Sequence, residues 1–262
     1  MKTTVPFCRT PVVAIVQARM SSTRLRGKVL KDICGRPMLA WIVERLSHSR
    51  LIDQIVIATS TDPSDNPIAQ WCKKEGVALY RGELEDVLDR YYQTALTYGV
   101  RTIVRITADC PLIDPQVVDR VITHFIEGMF DCAGTDDTYP DGLDTEVFTM
   151  LTLRRAWQKA RWSSEREHVT PYIWKHPEKF RLLRLSAPER LGHLRWTVDE
   201  PEDLELVRKI YSWFYGKKDV FLMEDVLKLL RQRPELMEIN RGIQRNEGYQ
   251  KSLKEDRLIR SV

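Results

Sequence analysis

A chain of 262 residues, 43% of them hydrophobic, can bury the core of one large domain, or of one domain with an appendage. Its 41 Lys and Arg against 37 Asp and Glu leave a net charge of +4, too mild for a nucleic-acid-binding face. No apolar run approaches the roughly 20 residues that span a bilayer. Scattered cysteines without a C-x-x-C pair (Cys8, Cys34, Cys72, Cys110 and Cys132) exclude a zinc ribbon and a disulfide framework, and MKTTVPFCRTP is no signal peptide. The expected setting is the cytoplasm, with neither nucleic acid nor membrane as partner.

In chain order, Val12–Gln17 reads as a buried strand and Pro37–Ser47 as a helix with Leu39, Ile42, Val43 and Leu46 on one face. A strand at Gln54–Thr59 and a helix at Asn66–Glu75, ended by Gly76, come next. Val77–Tyr80 is a short strand, Glu85–Tyr98 a helix, Arg101–Thr107 a strand and Pro115–Glu127 a helix. After Asp131 the pattern changes. Gly134–Gly142 reads as a polar loop, Leu143–Phe148 as a strand and Leu153–His176 as a helical region. Phe180–Leu185 and Leu194–Val198 read as returning strands, and Asp203–Tyr215 as a helix. Gly216–Lys218 looks like a linker, so residues 1–218 form the main domain and 219–262 a helical, partly polar extension. Its cations Arg241, Arg245, Lys251, Lys254, Arg257 and Arg260 alternate with acids, as on a solvated face.

Strands alternating with helices at this spacing predict an α/β fold, a mostly parallel sheet with helices on both faces and ligands at the carboxyl ends of the strands. The segment after the first strand carries Arg19, Arg24, Arg26 and Lys28 with Ser21, Ser22 and Thr23, but neither a Walker loop nor G-x-G-x-x-G. The residues alone leave two readings, a solvated loop or a phosphate loop built from side-chain charge and hydroxyls. Asp109 and Asp199 each follow a predicted strand and precede a proline. Either could be a helix cap; together they could share one Mg²⁺, which takes one or two carboxylates and completes its shell with water and phosphate.

Six stretches then carry a resemblance: AIVQARMSSTRLRGKVL, YRGELEDVLDRYYQ, RITADCPLIDP, YPDGLDTEVF, SEREHVTPYI and LRWTVDEPEDLELV. In this order, from about Val12 to Tyr211, they resemble the SpsF-type spore-coat polysaccharide cytidylyltransferases. These group with the CMP-sugar synthetases that activate sialic, pseudaminic, legionaminic and 3-deoxy-octulosonic acids. The resemblance implies a Rossmann-like, nucleotide-diphospho-sugar transferase (GT-A-like) mixed sheet, with residues from about 134 to 180 as a sugar-covering arm that forms a homodimer. It implies transfer of CMP from CTP to a sugar acid, or to a phosphorylated or phosphonate acceptor, with release of pyrophosphate. It makes Gln17, Ala18, Arg19, Ser22, Arg24 and Lys28 the triphosphate loop, and puts Arg81, Asp86 and Thr107 near base or ribose. Asp109 and Asp199 become the Mg²⁺ ligands, and Arg19, Arg24, Lys28 and Asp109 the catalytic set. Members read L-P-G-K where this chain has Leu25-Arg26-Gly27-Lys28, and often Gly where it has Ala108.

For the acceptor, Asp141, Asp144 and Glu146 stand in YPDGLDTEVF, although their alternation also suits a half-buried strand. Ser164 and Glu167 have capping-box spacing, Arg166 suits an anionic acceptor, and His168 is either an acceptor contact or a packed histidine. Replacing Asp109 or Asp199 by Asn is expected to leave stability unchanged or raise it slightly, since two like charges would otherwise face each other. Two other functions compete with this one. A glycosyltransferase of the same fold would also place a metal on strand-end carboxylates, and a silent nucleotide-binding module would need no chemistry.

Overall fold

The computed structural model describes residues 10–259. Cys8, Arg260 and most of the N-terminal stretch lie outside the described residues. β1 (Val12–Gln17) is apolar on both sides because both its faces are covered. Val12, Ala14 and Val16 enter one core, and Val13 and Ile15 the other. A two-residue hairpin, β2 (Asp32–Ile33) and β3 (Arg36–Pro37), precedes α1 (Met38–Ser47). Then follow β4 (Gln54–Ser60), α2 (Asn66–Glu75), β5 (Ala78–Gly82), α3 (Val87–Thr97), β6 (Thr102–Thr107) and α4 (Pro115–Gly128). Caps set these boundaries. Asp114 accepts from the Gln116 and Val117 amides with Pro115 behind it, and Gly76 turns left-handed at the end of α2.

The second half adds β7 (Cys132–Thr135), β8 (Glu146–Thr149), α5 (Met150–Lys159), α6 (Ser163–His168), α7 (Pro171–Trp174), β9 (Leu182–Leu185) and α8 (Pro201–Phe214). Two more helices, α9 (Met223–Gln232) and α10 (Glu247–Lys254), follow. The main sheet runs β5-β4-β1-β6-β8-β7-β9. β8 alone is antiparallel to its neighbours, so the start of β8 lies at the same edge as the ends of β1, β4 and β6. Gln17 pairs with Thr107 and Ala58, and Arg105 with Glu146, which fixes that edge as the place to look for a site.

Several expectations need correction. Gly134 lies in β7 rather than in a loop, because Cys132–Thr135 is small and buried. A side chain there would meet the Glu146 Cγ and Thr145 carbonyl at 3.2 Å. Leu194–Val198 is not a strand: only Arg195 forms a bridge, to Asp141. The Asp141 carbonyl accepts from both the Trp196 and Thr197 amides, which turns the chain out of a ladder. The expected helical region 153–176 is three short helices, α5 to α7. Residues after Lys218 fold back onto the body. Phe221, Met223, Val226, Leu227, Leu229 and Leu230 share the core with β1 and α1, and Arg45 and Asp114 bind the Phe221 carbonyl and Met223 amide. Among the described residues no helix is long and apolar enough to cross a membrane.

Candidate functional site

The loop after β1 is anchored before it is charged. Buried Asp65 accepts from the Met20 amide at 2.7 Å with one oxygen, and from the Ser60 amide and hydroxyl with the other, tying the ends of β1 and β4 together. The Ala18 amide binds the Ala58 carbonyl, and the Gly27 amide closes the loop on the Met20 carbonyl at 3.1 Å. Gly27 sits at φ +64°, a conformation glycine takes without strain, and the turn closes without the usual proline at Arg26, which points into solvent. The Ser22 hydroxyl accepts from the Leu25 amide at 3.4 Å.

This closure drives Lys28 inward. Its Nζ lies 3.1 Å from Asp109 Oδ2, 2.8 Å from Asp199 Oδ1 and 2.9 Å from the Val198 carbonyl, so three donors meet three acceptors. The two aspartates, expected to face each other as like charges, are bridged by this ammonium. Burial favours a neutral lysine, but the two carboxylates outweigh it and raise the Lys28 pKa. Burial likewise pushes the Asp109 carboxyl up, yet Lys28, with bonds from Thr107 and Cys110, brings it down to about 2.

Asp199 carries a second set of partners. Arg24 reaches its Oδ1 at 3.1 Å, and also Glu200 and, in α10, Glu247. Arg195 reaches its Oδ2 at 3.0 Å. Arg195 also grips Asp203 with Nε and Nη2, and Asp141 with Nη1 at 2.8 Å. In sequence Arg195 reads as a residue of the expected strand Leu194–Val198, although it lies four before Asp199. Asp203 doubles as the α8 cap, taking the Asp199 and Glu200 amides at 3.0 Å.

The remaining expected site residues divide. Arg19 is exposed and pairs loosely with Glu167 at 3.6 Å. The Gln17 side-chain oxygen is buried without a partner, while the Thr107 hydroxyl lies 3.2 Å from Cys110 Sγ. Arg81 is committed to the Ser60 and Asp62 carbonyls at 2.7 and 3.0 Å. Asp86 and Arg166, expected at base and acceptor, bind each other: Arg166 Nε donates to both Asp86 oxygens and its Nη2 adds a further bond. Asp86 also caps α3 through the Asp89 amide. Glu146 is buried and satisfied by Arg105, Thr170 and Trp174. His168 Nε2 lies 3.0 Å from Ser252 Oγ in α10 and its ring packs edge-on against Tyr249. Burial lowers the His168 pKa to about 4, against the pull of Glu167. Ser164 binds Asp256 rather than capping with Glu167; the Glu165 carboxylate caps α6 through the Arg161 and Trp162 amides. Asp144, half-exposed, holds Arg245 at 3.0 Å, so Arg245 is no solvated cation.

Among the described residues no cluster of three or more His, Cys, Asp or Glu is arranged for a metal ion. Two carboxylates converging on one point are nonetheless the donor chemistry of a hard cation whose other ligands are water and phosphate. Besides Lys28, Asp109 is bonded by neutral donors, the Thr107 hydroxyl and, at 3.5 Å on Oδ1, the Cys110 thiol, so this pair fits such an ion if Lys28 yields its place.

Comparison with known proteins agrees with this architecture. A model of the cytidylyltransferase family matches residues 13–238. The spore coat polysaccharide biosynthesis protein SpsF of Bacillus subtilis is 35% identical over 236 residues, covering 86% of this chain and 95% of its own. A cytidylyltransferase structure from Leptospira borgpetersenii superposes with a TM-score of 0.84 at 31% identity, covering 90% of this chain and all of that one. CMP:2-keto-3-deoxy-manno-octonic acid synthetase complexed with CTP superposes at 0.61 and 17% identity over 78% of this chain and 99% of its own, which speaks to the fold. The fold is that of the nucleotide-diphospho-sugar transferases. By sequence match and by fold, this chain is a nucleotidyltransferase and belongs to the cytidylyltransferase family.

Proposed function

We propose that the enzyme transfers CMP from CTP to a sugar acid, or a related phosphorylated or phosphonate acceptor, with release of pyrophosphate, in making a surface-polysaccharide precursor. The observation that carries this reading is the meeting of Lys28, Asp109 and Asp199 at the carboxyl edge of the sheet, beside the Arg19 and Arg24 loop. An acceptor oxygen attacks the α-phosphorus and the bond to pyrophosphate breaks. Such a step asks the protein mainly for alignment and charge neutralisation. Arg19 and Arg24 now rest on Glu167, Glu200 and Glu247, carboxylates that phosphate oxygens would replace. Lys28 reaches phosphate by giving up one of its three acceptors; otherwise it holds the two aspartates together.

Asp109 and Asp199 would hold Mg²⁺, which when bound neutralises phosphate charge and polarises phosphoryl oxygen. Asp144 and His168 would serve as acceptor contacts, whereas Arg166 and Glu146 would act on the acceptor only through the walls they brace. The homodimer implied by the resemblance enters the proposal through residues 134–180, where Leu151 and Trp162 are exposed; mass by light scattering decides it. The function is tested by thermal shift with each nucleoside triphosphate, then by pyrophosphate release against a panel of sugar acids. CTP with Mg²⁺ should raise Tm most; equal shifts from all four would remove the base preference.

A further inference from the structure

Arg195 has five N–H donors and five acceptors. Nε meets Asp203 Oδ1 at 3.0 Å, Nη2 meets Asp203 Oδ2 at 3.1 Å and Asp199 Oδ2 at 3.0 Å, and Nη1 meets Asp141 Oδ2 at 2.8 Å and the Gln244 carbonyl at 3.3 Å. A planar guanidinium with every donor used cannot rotate without breaking several bonds at once. Its surroundings are as fixed as it is. Asp203 is fully buried, and Asn240 donates from one amide nitrogen to both Asp203 Oδ1 and the Arg195 carbonyl at 2.9 Å.

Asp199 and Asp203 lie four and eight positions after Arg195, while Asp141 and Gln244 come from segments about 50 positions away. Of the three carboxylates Asp199 is the most exposed, and it is the one Lys28 also holds. Its Oδ1 is held by Lys28 and Arg24, and its Oδ2 by Arg195. Three carboxylates, Asp141, Asp199 and Asp203, surround this one guanidinium. Without it they would repel one another, and Asp199 would lose the contact that fixes its second oxygen. A ligand carboxylate must be held to within about 0.5 Å by side chains that are themselves locked. The arrangement around Arg195 meets that requirement. Asn240 and Gln244 also lie beyond residue 238, where the family match ends.

We propose that Arg195 is a positioning residue that aims the Asp199 carboxylate at Asp109, and that Asn240 and Gln244, outside the family-matched part of the chain, lock it there. The proposal rests on the reading of Asp109 and Asp199 as cation ligands. It also makes the segment after residue 238 part of the site's support.

The test is Mn²⁺ binding to the full-length protein, read from the electron paramagnetic resonance of the free ion, for wild type, Asp199→Asn, Arg195→Lys and Asn240→Ala. CTP binding in chelator, by calorimetry, is measured beside it. Lysine keeps the charge but cannot fork, so Arg195→Lys should weaken Mn²⁺ about 10- to 100-fold, close to the loss in Asp199→Asn. Metal-free CTP binding should stay within about three-fold in Arg195→Lys, since Arg24 keeps Glu200 and Glu247 whatever becomes of its contact with Asp199; a general loss of structure would move both. Asn240→Ala should weaken Mn²⁺ by about three- to ten-fold, and decides the question should Arg195→Lys not fold. If wild type and Asp199→Asn bind Mn²⁺ alike, the cation reading fails and takes this inference with it. If Asp199→Asn loses Mn²⁺ while Arg195→Lys and Asn240→Ala keep wild-type affinity, the positioning role alone is overturned.

Discussion

Arg24 and Glu247 lie 223 positions apart in sequence and 3.1 Å apart in space. The pair joins the loop after β1 to the last helix described, and puts a carboxylate where the proposed function needs a phosphate. Both side chains are about a third or more exposed, so the pair is worth at most about 1 kcal/mol. Glu247→Gln should therefore tighten CTP by about two- to five-fold. Titration calorimetry checks this, and weaker binding would mean that Glu247 helps the nucleotide rather than competing with it.

Asp109→Asn and Asp199→Asn should each cut turnover by about three orders of magnitude, as expected for losing about 4 kcal/mol of transition-state stabilisation. The double variant should cost little more than either single one, because the pair acts as a unit. Stability should now fall, contrary to the expectation from two facing like charges, because each change takes an anion from buried Lys28. Steady-state kinetics and urea unfolding on the same samples read both effects. Near-normal turnover of the Asp199 variant at limiting Mg²⁺ would leave that residue only its ion pairs with Lys28, Arg24 and Arg195.

His168 and Asp109 should each lose stability with acidity, in two separate steps, against an opposing gain between about pH 7 and 4 from Asp141, whose carboxyl is pushed up to about 7 by burial and by the nearby Asp144. The His168 pKa is depressed to about 4, below the ordinary value near 6.5, so the unfolded chain takes the proton first. Its contribution is complete above about pH 6.5 and lost as pH falls towards 4, on the order of 2 kcal/mol after allowance for partial exposure. Asp109, depressed to about 2, gives up its share between about pH 4 and 2. His168→Asn should flatten the first step and leave the second. Denaturant midpoints at half-unit pH intervals distinguish them.

Arg166→Ala and Asp86→Asn should destabilise the protein by about 1–3 kcal/mol while leaving the acceptor KM of the folded fraction within about two-fold. The pair joins α6 to the cap of α3, and Arg166 further binds the Trp157 carbonyl at 2.7 Å. A ten-fold rise in acceptor KM without loss of Tm would put Arg166 back in the acceptor pocket.

The first half of the fold was legible because its signals are local. β1 is a run of apolar residues, and α3 and α4 begin at Asp86 and Asp114, aspartates that cap by rule. β7 was not legible. Its Cys-Ala-Gly-Thr sequence is small because Trp174 and Glu146 crowd it, a fact about neighbours and not about propensity. The charged site divides in the same way. Lys28, Asp109 and Asp199 stood out because each follows or ends a strand-like segment. Arg166 and Asp86 looked like two ligand-binding groups because nothing in the sequence reveals a pairing across 80 positions. Arg195 was hidden for the opposite reason: between Leu194 and Trp196 it looked like the outward residue of a strand.

The cluster around Arg195 also constrains the order in which the chain can become native. Asn240 follows Asp203 by 37 positions, so at about 5–20 residues per second a nascent chain holds a buried acid without its amide partner for about 2–7 s. Asp256, which binds Ser163 and Ser164 some 90 positions earlier, comes later still. The sheet and its flanking helices are made from residues already in hand, whereas the catalytic edge draws on residues translated last among those described. During synthesis the sheet can therefore assemble while the ligand-binding edge is still unsatisfied and the core still lacks Phe221 to Leu230, and in that interval a cell's quality-control proteins would meet an incomplete core with an ionic defect beside it.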